Sequence, residues 1–175
     1  MILLASIPIG IGLGLLLKGR ITALTGLHFA WAPIAIIGLL VQVALFTPSG
    51  AELAGDRGPL IYVASTAAVL TAVARNLRTS GMPIVAVGSL LNLVAIAANG
   101  GAMPTTTEAL AAAGLGGPGA YTNSVVVASP ALSFLTDIFA IPAGVPLANV
   151  FSVGDALIGL GIVLVIVSAM RRAAT

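Results

Sequence analysis

The chain has 175 residues, of which 59% are hydrophobic and 7% charged, with a net charge of +2. A soluble domain carries about 25% charged residues, so this chain cannot cover its surface in water, and a bilayer is its expected solvent. It has no cysteine, which excludes disulfides and thiolate chemistry; with one histidine and five dispersed acids, no metal site and no cofactor are expected. Its few basic residues form no nucleic-acid footprint.

A membrane span needs roughly 17–25 mostly apolar residues. In chain order, five segments meet or approach that requirement. The first is Ile2–Leu17, with small residues at Gly10-x-x-x-Gly14 that let helices approach closely. No basic residue precedes it, and Lys18 and Arg20 follow it, so a retained span is expected rather than a cleaved signal peptide. Thr25–Phe46 is the second, with His28 and Trp31 near one end and Gln42 inside. Leu60–Ala74 is the third. Met82–Ala98, the fourth, carries Ser89 and Asn92, both placed to hydrogen-bond across helices. Asp155–Met170 closes the set.

Charge orients these spans. Six of the seven basic residues lie at Lys18/Arg20, Arg75/Arg78 and Arg171/Arg172, which fall on one face if there are five spans. By the positive-inside rule that face is cytoplasmic. The N-terminus is then outside and the C-terminus inside, with Glu52, Asp56, Glu108, Asp137 and Asp155 all on the outer side. The fold expected is an all-α integral membrane bundle of five helices, one domain over residues 1–175, in the cytoplasmic membrane of a bacterium.

Between the fourth and fifth spans, residues 99–154 are too long and too apolar for a disordered connection. An ordered extracytoplasmic segment is expected there. It holds a short helix around Glu108–Ala113 and a second element around Pro130–Phe139 along the outer interface. Pro142, Gly144 and Pro146 then turn the chain back.

The candidate chemistry lies in this segment. Ser152-Val-Gly-Asp155 has the spacing of a capping box, in which the hydroxyl and the carboxylate satisfy each other's backbone N–H. Asp137 sits among Phe134, Leu135, Ile138 and Phe139, where a carboxylate is costly without a partner. If Asp137 and Asp155 meet, like charge and burial drive their pKa values apart, the condition for one acid and one base. Asn99, Asn149 and Ser152 are the neutral polar groups beside them that would orient a substrate. Capping and catalysis both remain open for Asp155.

Two resemblances follow from these residues. The order "NGGAM", "TDIF", "NVFSVGDALIGLG" resembles the C-terminal third of lipoprotein signal peptidase, an intramembrane aspartyl enzyme. That resemblance implies Asp137 and Asp155 as the catalytic pair and a lipid-anchored peptide as substrate, although Ser152 stands where that family has asparagine. "LKGRITAL", "LNLVAIAANGGAMP" and "DIFAIPAGVPLANVFSVGDALIGLG" resemble, over nearly the whole chain, an uncharacterised bacterial family of five-span membrane proteins, which implies no activity. The leading expectation is a non-catalytic membrane protein, either an accessory subunit of a larger membrane complex or a lipid-binding scaffold. An aspartyl hydrolase is the alternative.

Overall fold

A computed structural model describes residues 2–116 and 124–172; the glycine-rich piece of the expected outer segment at 117–123 lies outside the described residues. The chain is mainly helical. Its α-helices are α1 (Ile2–Leu16), α2 (Ala32–Leu45), α3 (Pro48–Ala54), α4 (Gly58–Ala74), α5 (Met82–Ala98), α6 (Thr107–Ala112) and α7 (Val153–Arg172). Four short strands accompany them: β1 (Met103–Thr105), β2 (Ser124–Val126), β3 (Phe139–Ile141) and β4 (Asn149–Phe151).

Proline starts the helices. It stands in the first turn of α2, α3, α4 and α5, where its missing N–H removes no intrahelical bond and its fixed φ suits the helix. This explains why α2 is shorter than the expected segment from Thr25. Trp31, just before it, is left-handed with φ 63°. The Asn76 side chain meanwhile clasps Ala30, accepting from its N–H at 2.8 Å and donating to its carbonyl at 2.8 Å. The backbone on that side therefore bonds to a side chain, and Ile21–Gly26 forms a separate 3₁₀ turn.

Among the described residues two helical stretches, Pro48–Ala74 and Val153–Arg172, are long and apolar enough to cross a bilayer, and α1, α2 and α5 are shorter apolar helices. Large side chains such as Leu4, Ile9, Leu13 and Leu16 on α1, and Ile36, Ile37, Leu40 and Val43 on α2, are exposed. Soluble monomers rarely leave contiguous apolar patches of that kind in water.

The long helices pack in a row: α2 on α4, α4 on α5, α5 on α7, and α7 on α1. Glycine sets the α5–α7 seam. A Cβ at Gly81 would lie 2.5 Å from the Gly161 carbonyl oxygen, and one at Gly88 would lie 2.5 Å from that of Gly154. Each pair lets antiparallel backbones touch, and the two contacts lie about two turns apart. On the far side of α7, a Cβ at Gly10 would press on Ile166 at 3.0 Å, and one at Gly14 on Met170. Replacing Gly88 by alanine is expected to destabilise the protein by about 1–3 kcal/mol through overpacking. Gly12→Ala, with nothing within 4 Å of the added atom, should be neutral or slightly stabilising. Thermal unfolding in a mild detergent reads both.

The packing gathers the basic sites at one end. The Arg20 N–H donates to the Met170 carbonyl at 3.0 Å, and Ser168 and Ser80 hydroxyls meet at 3.1 Å. The Arg75 guanidinium lies 5.9 Å from the centre of the Trp31 ring. At the opposite end a small cap sits on the bundle. α5 ends in a Schellman turn: the Gly101 N–H reaches the Ile96 carbonyl at 2.9 Å, with Gly100 and Gly101 at φ 67° and 85°. That conformation favours glycine. At Gly101 a Cβ would also strike Pro59 at 2.5 Å. The chain then enters β1, which pairs in parallel with β2, while β3 and β4 form an antiparallel hairpin. The expected second element around Pro130–Phe139 is a 3₁₀ turn at Ser133–Leu135 running into extended chain and β3.

Candidate functional site

Asp155 is the third residue of α7 and completes a capping box. Its N–H donates to Ser152 Oγ at 3.0 Å, and its Oδ2 accepts from the Ser152 N–H at 3.1 Å. A third group joins them from α5. Asn92 Nδ2 donates to Asp155 Oδ1 at 2.7 Å, while Asn92 Oδ1 accepts from Ser152 Oγ at 2.8 Å. The amide, hydroxyl and carboxylate thus form a closed ring in which each carboxylate oxygen has a donor. Asn92 stands one turn beyond Gly88 on the same face, so the glycine seam brings it into register with Asp155. A Cβ on Gly154 would collide with Asn92 Oδ1, so a side chain there would break the ring.

Asp137 is held by different means. Its N–H donates to the Pro104 carbonyl at 2.9 Å, and its own carbonyl accepts from Thr105 Oγ1 at 2.7 Å, an isolated parallel bridge beside β1. This continues the β-pairing on the edge of β1 opposite β2. The residue is 2% exposed. Ser124 Oγ donates to its Oδ2 at 2.5 Å, the length of a charge-assisted bond. Its Oδ1 is buried and has no hydrogen-bond partner among the described residues.

Burial pushes the Asp137 carboxyl up to about 7, and the neighbouring Asp155 charge adds to the rise; the Ser124 hydrogen bond and the positive amino terminus oppose it. A carboxylate with one orphaned oxygen in a dry setting is destabilised relative to its acid. Near neutral pH, Asp137 therefore exchanges readily between the two forms.

Asp137 and Asp155 line one cavity of about 380 Å³ together with Asn92 and Asn149. Ser152, fully buried, stands behind Asp155. Asn99 is elsewhere. Its amide accepts from the Ala131 N–H at 2.9 Å and donates to the Ala131 carbonyl at 3.0 Å, tying the cap to the end of α5. The remaining cavity wall is mostly apolar and runs the length of the bundle, from Phe151 and Tyr62 to Val73, Met82 and Phe29. It draws residues from α1 and α2, the two ends of the helix row. Gln42 on α2 donates to Thr66 on α4 at 3.3 Å along this wall. Among the described residues no three His, Asp or Glu side chains come together; a ligand would meet carboxylates and amides.

The sequence points to both aspartates but not to Asn92 as part of the site, nor to Ser124. For Asn92 a signal exists: it is an amide in an otherwise apolar helix, four residues after a glycine. Ser124 has no comparable signal, because only strand pairing carries it to Asp137.

These features define a class: an apolar helical bundle, small-residue packed, with a mixed cap that closes a polar-ended internal cavity. The chain belongs to a family of unknown function, DUF5317, whose profile matches residues 26–167. Among curated proteins and solved structures, none matches the chain.

Proposed function

We propose that the protein is a non-catalytic, multi-pass protein of the bacterial cytoplasmic membrane that binds an amphiphile from the outer leaflet. In this reading α1, α2, α4, α5 and α7 are five spans and the basic end faces the cytoplasm. The cap over residues 99–154 lies outside. One observation carries the reading: a cavity within the roughly 300–1,000 Å³ of small-molecule pockets is mostly apolar along its length and carries its carboxylates at one end. That is the profile of a hydrocarbon chain with a headgroup. The space between α1 and α2, which end the row of packed helices, is the natural side entrance.

The test is lipid retained through purification in a mild detergent, measured by native mass spectrometry. The wild-type protein is expected to keep about one lipid per chain. Thr66→Phe, which fills the middle of the cavity, should lower that occupancy about tenfold while α4 stays folded. Equal occupancy in both proteins would overturn the reading. Stoichiometric recovery of a fixed partner protein with an empty cavity would favour an accessory subunit instead.

A second reading has its own support. Two carboxylates in unlike surroundings face one cavity, and such pairs divide acid and base roles. In an aspartyl hydrolase, Asp155 would activate water while protonated Asp137 polarises the scissile carbonyl. Cleavage of a diacylated lipopeptide by the reconstituted protein, abolished by Asp137→Asn, would establish that activity. The closed Asn92–Ser152–Asp155 ring favours the binding reading, because it already occupies both Asp155 oxygens.

A further inference from the structure

We propose that the polar end of the bound amphiphile is a primary ammonium group, which donates a hydrogen bond to Oδ1 of Asp137. The inference rests on the binding reading above and names its ligand class. Asp137 is buried to 2% exposure, lines the cavity, and has one oxygen already filled by Ser124 and one unpartnered. Buried carboxylate oxygens are nearly always bonded, so the missing donor belongs to the ligand.

The charge balance selects the headgroup. Among the described residues no Lys or Arg lines the cavity, whereas two carboxylates do. A helix N-terminus would ordinarily attract a phosphate or carboxylate. At α7 that position is already filled by the Asp155 side chain, which holds the Ser152 N–H. An anionic headgroup would therefore meet like charge, with only neutral amides such as Asn149 to donate to it. A neutral hydroxyl could donate to Oδ1 but would not balance the charge. A primary ammonium does both, with further protons for Asn149. The hydrocarbon chain then lies along Ile158, Ile162, Val85 and Val73.

Linkage gives the pH signature. The ammonium binds ionised Asp137, and an alkylamine itself stays charged to about pH 10. Asp155 is the other acid facing Asp137, from α7; β1 and β2 present only hydroxyls, α5 presents the Asn92 amide, and the amino terminus contributes positive charge. Affinity for the amine is thus expected to be flat above pH 7 and to fall about tenfold per pH unit below it.

Dodecylamine, dodecanol and dodecanoate, matched in chain length, can be compared by competition against a fluorescent alkyl probe in a non-ionic detergent. At pH 8 the amine should bind the wild-type protein at least tenfold more tightly than the alcohol, and the acid most weakly. Asp137→Asn should lose both the preference for amine over alcohol and its pH dependence. The wild-type series needs no variant to fold. Equal binding of amine and alcohol, or tighter binding of the acid, would overturn the ammonium assignment and leave the cavity as a chain site. Failure of all three to displace the probe would sink the amphiphile reading itself.

Discussion

Asp137→Asn is expected to make the protein more stable at pH 8, by roughly 2–4 kcal/mol, and to leave it unchanged near pH 4. The Asp137 carboxyl is raised from 3.8 to about 7 by burial and by Asp155. The folded state then holds a proton that the unfolded state has released over this whole interval. Stability from this group is therefore greatest below pH 4 and declines as pH rises to about 7. Three pH units at 1.36 kcal/mol each bound the loss at about 4 kcal/mol. Asparagine keeps an oxygen for Ser124 and removes the charge, so the decline should vanish. For a chain of this length the gain corresponds to a rise in Tm on the order of 5–10 °C. A variant less stable than wild type at every pH would show that the carboxylate holds the cap together. A native residue whose charge destabilises the fold is retained for another reason, and on the proposed binding reading that reason is the ligand.

The same substitution at Asp155 should have the opposite sign. Asp155→Asn is expected to destabilise by about 1–4 kcal/mol at pH 8, read by the same unfolding curves. The aspartate accepts from Asn92 and from the Ser152 N–H at once. Asparagine offers one acceptor and adds two donors, so one buried donor in the ring is left over whichever way either amide turns. That orphan costs about 1–3 kcal/mol. Loss of a negative charge at the start of α7 adds about 0.3–1 kcal/mol. Equal and small effects at both positions would mean that the two carboxylates play the same part, as in a proton-sharing dyad. Opposite effects would separate a positioning residue, Asp155, from a ligand-facing one, Asp137.

Much of the fold is legible in the chain because its signals are local. The expected fourth segment and α5 share the bounds Met82–Ala98, since Pro83 opens that helix and the Gly100–Gly101 pair closes it. Ser152 and Asp155 were expected to form a capping box and do, because a three-residue spacing brings hydroxyl and carboxylate together whatever surrounds them. The second segment was misjudged at its start for the converse reason. His28 to Trp31 read as apolar helix, but Asn76, far along the chain, takes the backbone bonds of Ala30.

By itself the sequence determined the strongly apolar character, most of the helical segments, the grouping of the basic residues and the cap of α7. Each follows from composition or from contacts within one turn of the chain. Only the tertiary structure decided what the aspartates face. Asp137 becomes buried because the backbone beside it completes a strand edge with Pro104 and Thr105, and Ser124 arrives through the pairing of β2 with β1. Asn92 reaches Asp155 because glycines let α5 and α7 approach until an amide spans the gap. Hydrogen bonds between residues far apart in sequence depend on helix separation and strand register, which no local pattern of residue types encodes.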